Sequence, residues 1–577
     1  MRRKVPVLLQ RLLLVVIIAC LGAVNRAHAM RGSGGDPALS VAVVRQALIN
    51  RTAVSLPEAL SQPQAGVSAL PARYRAGQVL VELQASAAEG TADRLAQEIG
   101  GTVRDTMPDL MAFRLGLPDG MSVQRAVEQL QADPDVRRAE ANAVYRLARE
   151  PSDPLYPYES SYLRTINAPT AWEQQTGDPN VIVAVLDSGV DIDHPDLKGN
   201  IWTNPKAGTG DGNNCGADLH GCNFVDGRDI DPTCHGASIA AAPNPDVTPD
   251  YWHGTFVAGE IGAQANNASG TAGVAWRISL MPVRVGDCTG PDANSVAQGI
   301  VYAARNGARV INMSFGEDPE SDDVCHASSQ LVTDAVRIAH DRYGAVMVAV
   351  SGAGNAPDGF LACVDYPAAY TQVIAVGASA PGDVRAPFSQ YGPEVAVAAP
   401  GIRIASTTTL RLGQQAPNDL YRIEDGTSFA APLVAGEAAL LISQNHLLTP
   451  DLVRSLIQGG AVRLDDAGTP NWAGAGRIDL AASLRLVPAG FYGTIRSLAP
   501  VPDGSPVEAR IGSALCGTGQ TFTVDGNPTY TVFVPPFASM AGCGLPGARV
   551  DLTVNGVRGG NAIWRQSDIR LDLTVTP

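Results

Sequence analysis

The chain has 577 residues, several times the length of a typical domain of ~100–200 residues, so several folding units are expected. Hydrophobic residues make up 45% of it and charged residues only 17%, which excludes a largely disordered protein. The formal net charge of -15 argues against a nucleic-acid partner, because no excess of positive charge is present to displace the counterions of phosphates.

The first 29 residues have the organisation of a secretory signal peptide. Basic residues at positions 2–4 precede an apolar run at 12–24, and the small-residue motif Ala27-His28-Ala29 follows it. The apolar run is shorter than the ~20 residues that a membrane span needs. The sequence therefore predicts export of the chain and cleavage after residue 29.

Cys20 leaves an alternative to free secretion. The segment Ile17–Cys20 resembles a bacterial lipoprotein box, so a lipid anchor on Cys20 is the second interpretation of the same region. No other stretch of the sequence is long and apolar enough to cross a bilayer, and no transmembrane span is expected.

The other cysteines are even in number, which in an exported chain is typical of disulfide bonds. They are Cys215, Cys222, Cys234, Cys288, Cys325, Cys363, Cys516 and Cys543. Eight cysteines allow 105 pairings, so their connectivity is open at this point. A zinc site built from the first three and His235 is the alternative, but the spacings do not match a C-x2-C pair.

Residues 30–147 form a leader and then a compact module. The leader at 30–71 is poor in aromatic residues and is expected to hold one helix around Ser40–Asn50. The module at 72–147 is predicted to have a β-α-β-β-α-β-like order. Its expected elements are strands at Val79–Leu83, Met111–Leu115 and near Val144-Tyr145, with helices at Thr91–Ile99 and Ser122–Ala132.

The next region alternates apolar strand runs with helical patterns. The runs are Val181–Leu186, Ser279–Val285, Arg309–Met313, Ala345–Val350, Val373–Val376 and Val395–Ala398. Continuous Val, Ile and Ala strands between helices predict a parallel sheet that is covered on both faces. After about Leu486, short alternating strands with Gly-rich turns predict a small all-β, sandwich-like domain.

The expected organisation therefore has five parts. They are a signal peptide at 1–29, a leader or linker at 30–71, a small α+β module at 72–150, an α/β domain at 151–486 and a C-terminal all-β domain at 487–577.

Three segments of the α/β region contain residues that suit nucleophilic catalysis. Asp187 ends an apolar strand, His253 begins an apolar helix, and Ser428 is expected to begin a second helix that runs to about Ser443. A serine hydroxyl is a weak nucleophile, so an imidazole must accept its proton during attack. A carboxylate fixes the imidazole tautomer and stabilises the imidazolium that forms.

The motifs around these residues identify the chain as resembling the subtilisin-family serine proteases. Asp187-Ser-Gly, His253-Gly-Thr and Gly-Thr-Ser428-Phe-Ala-Ala-Pro match the family's motifs and its order Asp, His, Ser. The resemblance covers about residues 72–485 and implies a subtilisin-like α/β fold and a secreted serine endopeptidase. The alternative is a catalytically inactive binding or adhesion protein on the same scaffold, whereas a metalloprotease is disfavoured because no H-E-x-x-H occurs.

The resemblance also implies roles for two further segments. Asn355, in Ser351-Gly-Ala-Gly-Asn, matches the family's oxyanion-hole asparagine. Ser314, Phe315 and Gly316 resemble the edge segment that pairs with extended substrate, and Ala353 and Gly354 would line the other wall of the primary pocket.

Residues 72–147 resemble the subtilisin propeptide, which acts as an intramolecular chaperone and inhibitor. The resemblance implies that this module caps the substrate groove and that the mature enzyme begins between Tyr145 and Asp153. The expected partners are thus protein or peptide substrates and the chain's own propeptide, and a monomer is expected.

Metal and disulfide expectations follow from the same resemblance. Asp196 and Asn267 resemble ligands of the family's calcium site, so a structural calcium is expected while catalysis needs no cofactor. Secreted bacterial relatives suggest the pairs Cys234–Cys288 and Cys325–Cys363. Cys516–Cys543 would close a loop within the β domain, which leaves Cys215 with Cys222.

Overall fold

The computed structural model of the protein is described for twelve stretches of the chain. They are residues 40–49, 74–144, 150–208, 215, 218–225, 246–249, 251–316, 329–350, 363–409, 420–464, 471–537 and 539–576. Contacts separate Met1–Ser40 from a compact unit, Val41–Pro577. Within the described stretches, no helix has the length and apolar character needed to span a membrane.

The N-terminal part of the compact unit contains a short helix and a four-stranded module. The helix is α1 (Val41–Ile49), and the module comprises β1 (Tyr74–Leu83), α2 (Thr91–Glu98), β2 (Thr102–Met107), β3 (Ala112–Gly116), α3 (Val123–Gln131) and β4 (Val136–Ala143). The sheet is antiparallel in the order β2-β3-β1-β4. Leu95, Val127 and Leu130 of the two helices are buried against it.

The module has the predicted β-α-β-β-α-β order, but its last strand was misplaced. It spans Val136–Ala143 and ends before the Val144-Tyr145 position. Its buried side chains are small and stand between charged ones, since Val136 and Ala139 flank Arg137 and Arg138. That pattern hides the apolar alternation by which a strand is recognised.

The central region comprises twelve strands, two of them in a separate hairpin, and eight α-helices in the described stretches. The helices are α4 (Tyr156–Thr165), α5 (Ala168–Trp172), α6 (His253–Gly262), α7 (Ala293–Arg305), α8 (Gln330–Arg337, continued by a π-helical turn at Ile338–Arg342), α9 (Ala431–Gln444), α10 (Pro450–Gly460) and α11 (Leu480–Leu486). The strands are β5 (Ile182–Asp187), β6 (Cys222–Asn223), β7 (Ser279–Arg284), β8 (Gly286–Asp287), β9 (Gly290–Pro291), β10 (Val310–Met313), β11 (Val346–Val350), β12 (Val373–Ala380), β13 (Val384–Arg385) and β14 (Val395–Pro400). A hairpin follows, β15 (Ile404–Thr407) with β16 (Tyr421–Glu424).

The main sheet is parallel apart from one edge strand, as predicted from its sequence. Its order is β13-β12-β11-β10-β5-β7-β6, with β14 beside β12 and only β13 antiparallel. Alternate side chains such as Leu186, Met281 and Ile311 belong to one core with α7 and α8. The intervening residues, for example Val185 and Val310, are equally buried, so both faces of the sheet are covered.

The C-terminal domain is all-β, as predicted. Its strands are β17 (Ala489–Ser497), β18 (Pro506–Ile511), β19 (Ala514–Val524), β20 (Asn527–Val534), β21 (Arg549–Val554), β22 (Val557–Ile563), β23 (Asp568–Arg570) and β24 (Leu573–Val575). They form one continuous path, β22-β21-β18-β19-β20-β17-β23, with β24 also on β17. Gly559 lies against Leu573, so the two ends of the path approach each other around a shared apolar core.

Candidate active site

Two neighbouring strands of the parallel sheet end at the same edge with polar residues. Asp187 is the last residue of β5, and Ser314 directly follows β10, which pairs with β5. The carboxyl ends of parallel strands open into a crevice in α/β folds. This edge of the sheet therefore brings the predicted carboxylate and the predicted substrate-binding segment together.

Helix α6 begins at His253 and lies very close to the end of β5. Gly254 makes this approach feasible, because a Cβ there would lie 2.2 Å from the carbonyl oxygen of Gly189 and 3.0 Å from Cβ of Asp187. The backbone N–H of Gly254 donates to Oγ of Ser188, which joins the helix to the strand end. The contact sets His253 directly beside Asp187.

The imidazole of His253 is oriented by the carboxylate of Asp187. Nδ1 lies 2.9 Å from Oδ1 and 3.0 Å from Oδ2. A carboxylate only accepts hydrogen bonds, so Nδ1 carries the proton and the neutral ring presents Nε2 as an acceptor. Oδ1 also accepts the backbone N–H of Ser188 at 2.8 Å, which holds the carboxylate in place.

The surroundings of His253 favour its charged form. Burial disfavours the imidazolium, but the charge and hydrogen bond of Asp187, with a smaller contribution from Glu424, raise the pKa of His253 above its ordinary value. The side chain of His253 is 17% exposed, and that of Asp187 is 5% exposed. The ring can therefore accept a proton, and the carboxylate of Asp187 can stabilise the imidazolium that results.

Ser428 lies in a one-turn 3-10 helix, Thr427–Phe429, rather than in an α-helix as predicted. The α-helix begins at Ala431, because Pro432 lacks an N–H and fits only the first turn of a helix. The carbonyl of Ser428 instead accepts a hydrogen bond from Oγ of Ser314 at 2.8 Å. Oγ of Ser428 donates to the carbonyl of Ser314 at 3.3 Å, so the two segments are joined twice.

His253 and Ser428 line one cleft with the predicted substrate segment. The cleft has a volume of about 300 Å³, and its walls include Asp187, Tyr251 and the stretches 286–291 and 314–316. Ser314, Phe315 and Gly316 thus lie in the same cleft as His253 and Ser428. The structure therefore places these predicted residues together.

The stretch 286–291, which forms one wall of the cleft, was not predicted from the sequence to lie there. Strands β8 and β9 form a short hairpin with a two-residue loop. Asp287, the last residue of β8, accepts hydrogen bonds from the N–H and the hydroxyl of Thr289. Gly290, with φ of +116°, marks the turn. Glycine and proline near residue 290 were the available turn signal, but nothing local indicated that the hairpin faces Ser428.

A second set of residues beside the imidazole was also missed. The guanidinium of Arg422 lies 4.0 Å from the ring centroid of Trp252, which neighbours His253. Arg422 also forms an ion pair with Glu424. Phe429 lies 5.6 Å from the His253 ring on another side. These contacts bring residues about 170 positions apart together, so only the fold reveals them.

Several predicted residues lie outside the described stretches. Ala353, Gly354 and Asn355 are among them, so their predicted roles stay predictions. The disulfides Cys215–Cys222 and Cys516–Cys543 are formed, as expected. Cys288 and Cys363 are also disulfide-bonded, while Cys234 and Cys325, the partners predicted for them, lie outside the described residues.

The predicted calcium ligands are neighbours in the structure. Asp196 is fully buried, and its Oδ1 accepts a hydrogen bond from Nδ2 of Asn267 at 2.9 Å. Oδ2 accepts the backbone N–H of Thr271, and Oδ1 of Asn267 accepts the N–H of Ser269. In this arrangement the amide of Asn267 turns its nitrogen towards Asp196, so the pair does not present two oxygens to one cation. Calcium binding stays a prediction.

Two known protein families match successive regions of the chain. The model of the subtilase family matches residues 178–476, and that of the fervidolysin N-terminal prodomain matches residues 61–142. The chain is 33% identical to a thermophilic serine proteinase of Bacillus sp. (strain AK1), over 69% of this chain and 84% of that one. It is 33% identical to thermitase of Thermoactinomyces vulgaris, over 57% and 97% respectively.

A third relative is the extracellular basic protease of Dichelobacter nodosus. It is 32% identical over 63% of this chain and 60% of its own length. The long family match covers the α/β region that holds Asp187, His253 and Ser428. The chain therefore belongs to the subtilase family of subtilisin-like serine peptidases.

Proposed function

We propose that this protein is an exported serine endopeptidase that is made as an inhibited precursor and matures by cutting its own chain. The observation that supports this most directly is the hydrogen-bonded pair of Asp187 and His253 in the cleft that Ser428 also lines. A neutral imidazole that presents Nε2 as an acceptor, held by a buried carboxylate beside a serine, is the arrangement that activates a hydroxyl.

In the proposed reaction, Ser428 attacks the carbonyl carbon of a peptide bond. Its hydroxyl turns from the carbonyl of Ser314 towards Nε2 of His253, which accepts the proton as the C–O bond forms. Asp187 holds the tautomer and stabilises the imidazolium. The same proton then passes to the leaving amine, and water repeats the sequence to release the acyl group from Ser428.

The developing oxyanion is proposed to be held by two N–H donors. The backbone N–H of Ser428 lies just before helix α9, where the helix dipole favours negative charge. The amide of Asn355 is the second proposed donor, by its match to the family's motif. Ser314–Gly316 would pair with the substrate backbone along the cleft.

Self-processing is supported by the module that precedes the peptidase region. Residues 61–142 match a prodomain, and the chain after it is held on the catalytic domain from Glu150 onwards. Glu150 forms an ion pair with Arg164, and the buried carboxylate of Asp153 accepts the N–H groups of Asn266 and Asn267. We therefore place the cut between Tyr145 and Asp153, ahead of these contacts.

Export is proposed from the basic, apolar and Ala-His-Ala organisation of residues 1–29. The similarity to a protease described as extracellular supports the same location. Protein or peptide substrates and the chain's own propeptide are the proposed partners.

The test uses Ser428→Ala beside the unchanged chain. The unchanged chain should react with a fluorophosphonate at Ser428 and should lose its propeptide, whereas the variant should do neither and accumulate as the precursor. Residual catalysis without the nucleophile is only ~10³–10⁴-fold above water, too slow for maturation. The competing function, an inactive binding scaffold, predicts no labelling of either chain. Cleavage of the purified variant at the unchanged rate would refute self-processing.

A further inference from the structure

The leader helix α1 (Val41–Ile49) packs on the catalytic region. Val44 is fully buried and Leu48 is 5% exposed. Ile49 lies so close to Gly344 that a Cβ there would be 2.2 Å from Cδ1 of Ile49. Nε2 of Gln46 donates to the carbonyl of Arg342 at 2.6 Å. The helix is therefore docked by an apolar face and a hydrogen bond.

The docking position is at the opposite edge of the sheet from the active site. Arg342 and Gly344 come just before β11, whereas Ser314 follows the neighbouring strand β10. In a parallel sheet these are the amino and carboxyl edges. The helix also approaches β19 of the C-terminal domain, so it lies where the two domains meet.

Docking is what stabilises this helix. It has nine residues, fewer than the ~12–15 that an isolated helix needs to be even marginally stable in water. Val44 and Leu48, four positions apart, lie on one face and supply the apolar contact. The helix should therefore form when it docks and unfold when it leaves, as other segments that fold on binding do.

One feature of the contact opposes docking. Arg309 is buried beneath this surface, where its guanidinium donates to the carbonyls of His446 and Leu448. Burial, and after it the charge of Arg45 on the helix, lowers the pKa of Arg309. Two cations close together repel each other, so this pair lowers the affinity of the helix for the catalytic region.

We propose that α1 is a second anchor that holds the propeptide on the enzyme after the chain between them has been cut. The inference rests on the proposed self-processing. Residues 50–73 join the helix to the module covalently, and the module's own end leads to the cleavage region at 145–153. The propeptide would thus be attached at the active-site edge and at the opposite edge. Two linked contacts leave far more slowly than either contact alone.

The experiment measures release of the propeptide without relying on the enzyme's own cut. In Ser428→Ala, residues 145–149 are replaced by the recognition site of a sequence-specific protease, and that protease makes the cut. Size-exclusion chromatography then follows how fast the N-terminal fragment separates from the catalytic part. Val44→Asp should speed separation at least tenfold. Val43→Asp is the matched control, because Val43 is 41% exposed and carries the same change one position away.

Milder variants guard against a folding defect. Val44→Ala and Leu48→Ala remove only two or three buried carbon atoms and introduce no charge, and each should speed release about threefold or more. Release of all three variants at the rate of the unchanged sequence would overturn the anchor, as would equal acceleration by Val43→Asp. Failure of the Ser428 chain to cut itself would instead refute the proposed self-processing, and the engineered cut would still decide the anchor.

Discussion

Asp187, which lies against helix α6, and Glu260, which belongs to that helix, are two buried carboxyl groups in opposite surroundings. Asp187 accepts hydrogen bonds from His253 and from the N–H of Ser188. Neither carboxyl oxygen of Glu260 has a hydrogen-bond partner in the described part of the chain. Burial, and then the charge of Glu159, raises the pKa of Glu260 well above its usual range. The fold supplies hydrogen-bond donors to Asp187, whereas the surroundings of Glu260 favour its neutral form.

Helix α9 contains another buried acid that, like Glu260, differs from Asp187. Glu437 lies in α9, which follows Ser428, and it is fully buried. Burial raises the pKa of Glu437 to about 8. A buried carboxylate is tolerated only where donors converge on it, because the cost of removing its charge from water is otherwise larger than the gain from packing. The position of the converging donors therefore separates Asp187, the acid proposed to take part in catalysis, from Glu260 and Glu437.

The largest test of this comparison is Asp187→Asn. The amide keeps the shape but can donate to Nδ1, which favours the wrong imidazole tautomer, and kcat should fall by about 10⁴-fold. The pH at which activity appears should also move down, because the pKa of His253 loses the charge that raises it. Steady-state kinetics across pH measure both effects.

Glu437→Gln is the matched control for activity, since it makes the same chemical change in an acid whose pKa of about 8 keeps it mostly protonated at pH 7. Its kcat should stay within about twofold of that of the unchanged enzyme. A comparable loss of activity in both variants would contradict the distinction between the two acids.

The second test concerns stability and uses Glu437→Gln against pH. Between the ordinary carboxyl pKa of 4.5 and the raised value of about 8, the folded state keeps a proton that the unfolded chain has released. The free energy of unfolding of the unchanged protein should therefore fall as pH rises through this window. The glutamine variant escapes this loss, so its advantage should grow from pH 5 to pH 8 by on the order of 2–4 kcal/mol.

Denaturant unfolding in the Ser428→Ala background measures this difference without self-digestion. Any cost of burying the glutamine amide is the same at pH 5 and pH 8, so it cancels when the two stability differences are compared. An advantage that does not change between pH 5 and pH 8 would show that Glu437 does not carry the proton.

The smallest expected effect concerns Asp196, a third kind of buried acid. If calcium joins its ligands, chelation should lower the melting temperature by a few degrees, because the ion binds only the folded chain. Thermal unfolding with excess calcium and with a chelator measures the difference, and Asp196→Asn should abolish it. An identical melting temperature in the two conditions would contradict calcium binding at Asp196.

Local patterns predicted most of what surrounds the site. The continuous Val, Ile and Ala runs predicted the parallel strands, because such strands are buried on both faces. Short motifs predicted that Asp187 ends a strand and that His253 begins a helix, and both predictions are confirmed. The start of the Ser428 helix was misplaced because proline restricts only the first turn and thereby moves the helix start to Ala431.

Long-range contacts were beyond the sequence. Arg422 meets Trp252 only because the β15–β16 hairpin folds against α6, and no periodicity encodes that pairing. The hairpin wall at Gly286–Pro291 could be recognised as a turn but not as a part of the cleft. The strand Val136–Ala143 was hidden because its buried face consists of small residues between charges.

Gly254, the residue after His253, limits which substitutions this enzyme tolerates. Gly254 has no room for a methyl group between the carbonyl of Gly189 and the side chain of Asp187. A substitution there would push apart two partners whose own side chains are untouched. In a saturation library, position 254 should therefore score among the inactivating sites although it contributes no reactive atom. Designers who graft this acid–base pair onto another backbone must copy the gap as well as the pair.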